Sequence, residues 1–305
     1  MATGNAKYDQ LIRDLASDYR PQREWAEGRG FFLIIGHFVV GVAAGAWLFG
    51  LYYANTDAQI LALVLGVLGG FAHLANLARP ERALRMMTRV GTSWVARGFW
   101  GLSLFLIGGF LWLVPVALPD LAWPEGVATF GRGLAVIGAV ILILYMGFVY
   151  TASKGIPFWN SPLHPVLYIA YAARGGAAAM LLVLAGRGQI PEPGFRLLEV
   201  WTGVTAAVIL LWALEIHGAL TGGDDATRRS MRDLLAGRLA AYFYAGTLFV
   251  GLVVPLYIIA QGFSQPMSIG AIASIGVASV LGDFFIKYSS IKAGIHAPVR
   301  LPPMR

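Results

Sequence analysis

Eight apolar segments, each long enough to cross a lipid bilayer, dominate this sequence. A helix rises about 1.5 Å per residue, so about 20 apolar residues cross the roughly 30 Å hydrocarbon core. Hydrophobic residues make up 57% of the chain and charged residues only 13%, as expected where lipid is the main solvent. The sequence therefore predicts an all-α integral membrane protein with eight transmembrane helices, at residues 31–54, 58–78, 95–118, 131–152, 161–185, 195–220, 240–260 and 267–289.

The basic residues predict the orientation of these helices. Of 23 lysines and arginines, 19 lie on one side, three lie on the opposite side and Arg174 lies within the fifth segment. Basic residues accumulate in cytoplasmic loops, so we expect both termini to lie in the cytoplasm, with the chain in a bacterial-type inner membrane. The net charge of +7 is then a topology signal, and we expect no nucleic acid to bind.

The predicted organisation is a cytoplasmic N-terminal segment (1–30), a transmembrane domain (31–289) and a cytoplasmic C-terminal tail (290–305). The first 30 residues are polar and have no apolar core, which argues against a cleavable signal peptide. No connection is long enough to fold as a second domain. The chain has no cysteine, so we expect no thiolate-held metal site or iron–sulfur cluster in it.

All five histidines fall on the predicted cytoplasmic side, and two of them lie within or beside apolar segments. His37 lies roughly 9 Å into the first span, and His73 lies near the end of the second. Three interpretations remain open: side chains solvated at headgroup level, axial ligands of a haem, or hydrogen-bonding groups of a quinone pocket. A transmembrane haem pathway usually needs ligands on both sides, so the quinone pocket is favoured and no haem is expected.

Tyr145 and a basic connection extend this interpretation. Tyr145 lies about 12 Å from the same end of the fourth span, close to the depth of His37, and offers a phenolic hydrogen bond. Residues 73–100 concentrate five arginines with Trp94 and Trp100. This segment is either a positive-inside anchor with an aromatic belt or a docking surface for an acidic or polar subunit, where Arg79 or Arg97 also polarises a bound headgroup.

Charged residues inside the spans suggest further roles. Asp283 and Lys287 are four residues apart and are predicted to pair locally on one helix face. Arg174 should face the protein interior, with Glu215 or water as its partner. These charges also leave two other functions open, a transporter or proton-translocating bundle and a purely structural anchor.

Six motifs together resemble a known family. They are HFVVGVAAG (37–45), HLANLARPERA (73–83), SWVAR (93–97), the Tyr145-x-Gly147 pair, PFWNSPLHP (157–165) and GDFFIKYSSIKAGIHAP (282–298). The protein resembles the membrane-anchor subunits of molybdopterin oxidoreductases, the polysulfide reductase and dimethyl sulfoxide reductase anchor family, also called the NrfD family. The resemblance spans the whole sequence and implies two four-helix bundles with a quinone pocket on the side that contacts an iron–sulfur subunit.

The resemblance also implies site residues. The positions that flank the quinone in such relatives correspond to His37 and Tyr145, and the histidine before the Arg-Pro turn corresponds to His73. Arg79, Trp94 and Arg97 are assigned to the same quinone-binding region.

The proton acceptor is where this sequence departs from the family pattern. The family often has an acidic residue directly after the arginine of the Ser-Trp turn, where this protein has Gly98. Glu81 or Asp283 is then the candidate proton acceptor, and Arg174 is a candidate member of a proton pathway.

The implied function is a membrane-anchor and quinone-binding subunit of an oxidoreductase complex. Such an anchor exchanges electrons between a partner iron–sulfur subunit and ubiquinone or menaquinone in the membrane lipid, and a molybdopterin catalytic subunit completes the complex. The charge distribution places both partners in the cytoplasm, as in sulfite-oxidising and phenylacetyl-CoA-oxidising complexes. We expect this protein to supply the pocket and the proton-transfer groups.

Overall fold

The computed structural model describes residues 18–189, 192–264 and 266–298, except for the side chains of 192–195. In these ranges eight helices are long and apolar enough to span a membrane, which confirms the predicted class and number. The helices are α1 (Gly30–Tyr52), α2 (Thr56–Asn76), α3 (Trp94–Ala117), α4 (Glu125–Thr151), α5 (Leu163–Gly186), α6 (Glu192–Thr221), a shorter α7 (Asp225–Ala236), α8 (Tyr242–Gly262) and α9 (Ile269–Lys292).

The spanning helices form two groups of four. In the first bundle α1 packs on α2 and α3 packs on α4, and contacts of α1 with α4 and of α2 with α3 complete the group. In the second bundle α5 contacts α6 and α9, and α8 packs along α9. Helix α5 joins the two bundles because it also packs against α1 and α4. This arrangement agrees with the two four-helix bundles that the family resemblance implies.

The junction between α1 and α5 depends on small residues. A Cβ atom on Gly45 would overlap the carbonyl of Ala172, and one on Gly176 would overlap the backbone at Gly45. Only glycine at both positions lets the two backbones approach this closely. The contact holds α1, which carries His37, between the first bundle and the second.

The first and last described segments of the protein meet at one end of the bundles, where α1, α3, α5 and α8 begin and α2, α4, α6 and α9 end. We call this end the terminal face. Here strands β1 (Arg20–Pro21) and β2 (Ile295–His296) pair antiparallel, with Arg20 opposite His296. The backbone N–H of Gln22 donates to the carbonyl of Gly294 at 2.8 Å, and its side-chain amide donates to the carbonyl of Ile291 at 2.7 Å. These bonds fix residues 18–29, which we call the strap, across the terminal face.

The connection between α6 and α8 also lies at the terminal face. It contains α7, which begins where the Asp224 carboxylate accepts a hydrogen bond from the backbone N–H of Thr227 at 2.8 Å. Helix α7 buries Ala226, Met231 and Leu234 and exposes a basic surface. The helix that follows, α8, is π-helical over Tyr242–Val253. Such geometry is rare and is often found at functional sites.

Candidate functional site

A cavity of about 260 Å³ lies inside the first bundle, near the terminal face. Side chains from α1 to α4 form its walls, and Glu24 and Trp25 of the strap lie at its rim. Three of the predicted site residues, His37, His73 and Tyr145, line it together. Apolar side chains line most of the remainder, including those of Leu33, Val95, Phe99, Leu102, Leu142 and Val149.

His37 is held in a fixed orientation at the inner wall of the cavity. Its side chain is buried, and its Nδ1 atom forms a 2.7 Å hydrogen bond with the hydroxyl group of Tyr150. The ring meets those of His73 and Tyr145 edge to face, with centroid distances of 5.1 Å and 5.7 Å. The bond to Tyr150 occupies one ring nitrogen and leaves Nε2 for a ligand.

His73 and Tyr145 form a second polar pair in the same cavity. The Tyr145 hydroxyl lies 3.4 Å from Nε2 of His73. A bond of this length is weak, so both groups can turn toward a ligand at small cost. Because the rings of His37 and His73 contact each other edge to face, they do not stand on opposite sides of a space for a haem plane.

Gly98 is part of the cavity wall, and the ring of Tyr145 takes the space where a side chain would lie. A Cβ atom on Gly98 would overlap the Cε2 atom of that ring. The absence of an acidic residue here therefore has a steric reason, since any side chain at Gly98 would displace Tyr145. A proton acceptor for this cavity has to come from another element.

The cavity suits a small ring system with polar atoms at its edge. At about 260 Å³ the cavity is just below the range of drug-sized pockets, which begin at about 300 Å³, so it fits a small headgroup rather than a long tail. Two imidazoles and a phenol offer neutral hydrogen-bonding groups among apolar walls. Such groups can hold the carbonyl or hydroxyl oxygens of a quinone and exchange protons with them.

Trp94 and Arg97, also predicted for the site, lie outside the cavity lining. Trp94 stacks on Phe148 with a centroid distance of 4.4 Å, and the Arg97 guanidinium lies 4.1 Å from the Trp94 ring centroid. Arg97 also donates to the carbonyls of Val90 and Gly91, both at 2.9 Å. These contacts fix the turn that precedes α3.

Arg79 and Glu81 lie on the exposed connection between α2 and α3, and neither lines the cavity. Pro80 starts a 3₁₀ turn (Pro80–Arg82) after α2 ends, because its ring cannot continue the hydrogen-bond pattern of an α-helix. The connection leaves most of its arginine side chains at the surface of the terminal face.

The buried charges of the second bundle pair differently from the sequence prediction. Arg174 forms an ion pair with Asp283, and its guanidinium also donates to the Thr205 hydroxyl at 2.9 Å and to the Gly251 carbonyl at 2.5 Å. The ring of Trp201 lies 4.8 Å from it. We call these five residues the ion-pair cluster.

The predicted partner Glu215 is therefore wrong for Arg174. Arg174 lies about 16 Å along its helix from the terminal face, whereas Glu215 lies only about 9 Å along its own. Asp283 lies close to the level of Arg174. Glu215 instead accepts a 2.5 Å hydrogen bond from the Ser161 hydroxyl.

The predicted pair of Asp283 and Lys287 is also wrong as a direct ion pair. Lys287 turns toward the first bundle, where its ammonium group donates to the backbone carbonyl of His37 at 3.2 Å and lies 4.5 Å from the ring centroid of Tyr168. Arg174 offers Asp283 a guanidinium at the same depth, and this takes the place of a bond within α9.

Sequence reasoning missed two polar residues of the cavity region, Glu24 and Tyr150. Tyr150 follows Tyr145 by five residues on a helix rich in aromatic and apolar residues. No sequence pattern therefore distinguished it from side chains that only pack. Glu24 lies in the polar N-terminal segment, which carried no periodic signal. Hydrogen bonds from its own backbone N–H and from that of Arg23 hold the pKa of Glu24 below its usual range.

Comparisons with known proteins agree with this architecture. The sequence profile of the family described as "Polysulphide reductase, NrfD" matches residues 29–298. Protein NrfD of Escherichia coli (strain K12) is 26% identical over 294 residues, covering 84% of this sequence and 92% of that protein. The Protein NrfD homolog of Haemophilus influenzae is 25% identical over 210 residues, 64% of each protein. The C subunit of the anaerobic dimethyl sulfoxide reductase of E. coli is 28% identical over 166 residues, 51% of this sequence and 57% of that subunit.

Proposed function

Since this protein belongs to the polysulphide reductase NrfD family, we propose that it is the membrane-anchor subunit of an oxidoreductase complex and that it binds quinone in the cavity of the first bundle. The observation that carries the quinone assignment is the convergence of His37, His73 and Tyr145 on one apolar-walled cavity. These residues come from three different helices, and the ring of His37 contacts those of His73 and Tyr145.

Different cavity residues bind different oxygens of the quinone ring. His37, oriented by Tyr150, presents Nε2 to one oxygen of the ring. His73 and Tyr145 exchange their weak mutual bond for bonds to a second oxygen. The apolar walls exclude water around the ring, which strengthens each of these hydrogen bonds.

The electron partner is an iron–sulfur subunit that docks on the terminal face, together with a molybdopterin catalytic subunit. The exposed arginines between α2 and α3 support this docking surface because they lie beside the cavity. Arg97 and Trp94 order the segment from which these side chains project. Arg79 acts here through charge at the docking surface.

The charge distribution supports an orientation in which the terminal face is cytoplasmic, in an inner membrane. By position in the sequence, 19 of the 23 basic residues are assigned to one side of the spans, the side on which the terminal face lies. Both partner subunits would then be cytoplasmic, which favours the sulfite-oxidising or phenylacetyl-CoA-oxidising type of complex. Protease protection of tags placed at either terminus, measured in right-side-out and inverted vesicles, tests this orientation.

The quinone assignment is tested by His37→Ala in the complex purified with its partners. We expect the affinity for a fluorescent hydroxyquinoline N-oxide, a quinone analogue, to fall at least tenfold, or about 1.4 kcal/mol. Fluorescence quenching measures this binding without knowledge of the partner's substrate.

The matched control is His217→Ala, because His217 is exposed on the same face at the end of α6. The control should bind the analogue as the unaltered complex does. Unchanged binding in both variants would rule out the cavity as the quinone site and would leave a purely structural anchor.

A second candidate function is proton conduction through the second bundle, and one observation favours it. Among the described residues, the Oδ2 atom of Asp283 is buried without a hydrogen-bond partner. Asp283 lines both a cavity of about 30 Å³ beside Lys287 and one of about 370 Å³ beside Arg174. Water in these cavities would complete its hydrogen bonds and link it toward His37.

This second function predicts proton flux by the protein alone. In proteoliposomes containing only this protein, an imposed potential should drive acidification that Asp283→Asn abolishes. The anchor function predicts no flux above that of empty liposomes, so the two functions are separated by one measurement.

A further inference from the structure

We propose that Glu24 is the proton-relay residue of the quinone cavity, exchanging protons between a bound quinone and water at the terminal face. The inference rests on the proposed quinone function, because without a quinone there is no proton to transfer. It assigns a role to the strap, which lies outside the eight spanning helices.

The need for such a group follows from the chemistry of the cavity. Converting a quinone to a quinol requires two protons with the two electrons, and any proton that His37, His73 or Tyr145 gives up has to be replaced after each turnover. Gly98 excludes a carboxylate on α3 because the Tyr145 ring takes that space. Among the described residues that line the cavity, Glu24 has the sole carboxylate group.

The strap holds Glu24 at a boundary between the cavity and water. Its side chain lines the cavity rim, yet 75% of that side chain remains exposed. The pairing of β1 with β2 fixes the strap, and Trp25, the next residue, packs against Tyr150 and Trp159. A carboxylate that contacts both the cavity and the surrounding water, on a backbone held in place, meets the geometric requirement of a proton relay.

The charged surroundings keep Glu24 ready to accept protons. Nε2 of His296, on the strand opposite, lies 3.9 Å from its carboxylate, and the positive charge of Arg20 is also nearby. The hydrogen bond from the backbone N–H of Arg23, 3.1 Å long, holds one carboxylate oxygen in place. From the helices, the titratable groups on the cavity side are His37, His73 and Tyr145.

The two acidic residues suggested by the sequence are less suitable. Glu81 is exposed and lies outside the cavity lining. Asp283 lies in the second bundle, where Arg174 already pairs with one of its oxygens. Glu24 is therefore favoured over Glu81 and Asp283 as the proton relay, because it lies at the cavity rim.

Protons and electrons balance both when a quinol is oxidised and when a quinone is reduced. When a quinol is oxidised, its two O–H bonds break, two electrons pass one at a time to an iron–sulfur cluster of the partner subunit, and two protons leave through Glu24 to water. When a quinone is reduced, Glu24 takes protons from water and supplies them to the cavity.

The experiment compares Glu24→Gln with Glu27→Gln in the purified complex. Glu27 lies on the same strap but outside the cavity lining, 3.7 Å from Lys292. A short-tailed benzoquinol and a short-tailed naphthoquinol are each mixed with oxidised complex, and cluster reduction is followed by stopped-flow absorbance. We expect Glu24→Gln to slow the maximal rate at least tenfold and to change hydroxyquinoline N-oxide affinity less than twofold, whereas Glu27→Gln changes neither.

Two further readouts separate a relay from a structural role. Added acetate should restore part of the rate in Glu24→Gln, because a small carboxylate can carry protons at an exposed rim. The Glu24→Asp variant should keep more of the rate than Glu24→Gln and should retain a pH dependence. A purely structural role would give no rescue by acetate.

The outcomes distinguish this inference from the proposed function. If Glu24→Gln reduces the clusters as fast as Glu27→Gln while His37→Ala loses binding, the relay is overturned and the quinone site stands. A slow Glu24→Gln variant that acetate does not accelerate also overturns the relay. If His37→Ala binds the analogue normally, the quinone site itself fails.

Discussion

The cavity of the first bundle and the ion-pair cluster of the second hold polar groups among the helices in opposite ways. Arg174 has a fixed partner for each of its three nitrogens and lies against the Trp201 ring. In the cavity, His73 and Tyr145 share one long bond and face open space. Groups whose hydrogen bonds are already made stabilise the fold, whereas groups with bonds to spare can bind a ligand.

The largest expected effect comes from removing the arginine of the ion-pair cluster. Arg174→Met leaves the buried Asp283 carboxyl without its ion-pair partner among apolar side chains, which should cost about 3–5 kcal/mol of stability. Thermal unfolding of the protein in detergent measures this loss. Arg187→Ala is the control, because its ion pair with Asp57 is exposed, and we expect its unfolding temperature to be unchanged. Equal stability of the two variants would contradict a structural role for the cluster.

An added methyl group should test how tightly the cavity wall is packed. Gly98→Ala places a Cβ atom against the Tyr145 ring, and the displacement should cost about 1–3 kcal/mol. Binding of the hydroxyquinoline N-oxide should weaken in parallel. Gly133→Ala on α4 is the matched control, since its Cβ meets nothing within 4 Å. If Gly98→Ala binds and unfolds as this control does, Tyr145 is not held against α3.

The orientation of His37 can be loosened without changing the ring itself. Tyr150→Phe removes the hydroxyl that bonds to Nδ1, a loss of about 0.5–1.5 kcal/mol. We expect up to tenfold weaker analogue binding, because His37 can then turn its ring nitrogens freely. Titration by fluorescence quenching measures the change. Tyr257→Phe, at an exposed tyrosine on α8, serves as control. Unchanged affinity would show that Tyr150 does not orient His37.

The smallest effects are expected where arginines are exposed. Arg82→Ala and Arg85→Ala should each slow association with the iron–sulfur partner a few fold and reduce its salt dependence, as charges at the edge of an interface do. Surface plasmon resonance at low and high salt measures both. Association rates that respond to neither change would place the docking surface elsewhere on the terminal face.

The spanning helices could be predicted because hydropathy and length determine them almost alone. The predicted ends agree with the observed helices within a few residues for most spans. The fourth helix begins at Glu125, earlier than its apolar segment, because the first turn of a helix can leave the hydrocarbon. Helix α7 was missed, although Asp224 at its start is a recognisable capping signal.

The three central residues of the cavity could also be predicted, His37 and Tyr145 because polar side chains at matched depth in two spans are few, and His73 because it matches a position of the family pattern. Its rim could not. Glu24 meets the cavity only because β1 pairs with β2 across nearly the whole length of the sequence, and such a contact leaves no local pattern. The partners of Arg174 depend on the rotation of each helix about its axis, which hydropathy does not determine.

The pairing of β1 with β2 also has a consequence for biogenesis. The strap is translated before α1, but its partner strand follows α9, so the rim of the cavity is completed only after all eight helices have entered the membrane. A nascent polypeptide with seven helices can already bring His37, His73 and Tyr145 together, yet its cavity has no closed entrance. The order of synthesis therefore leaves the rim of the cavity unfinished until the last spanning helix has been made.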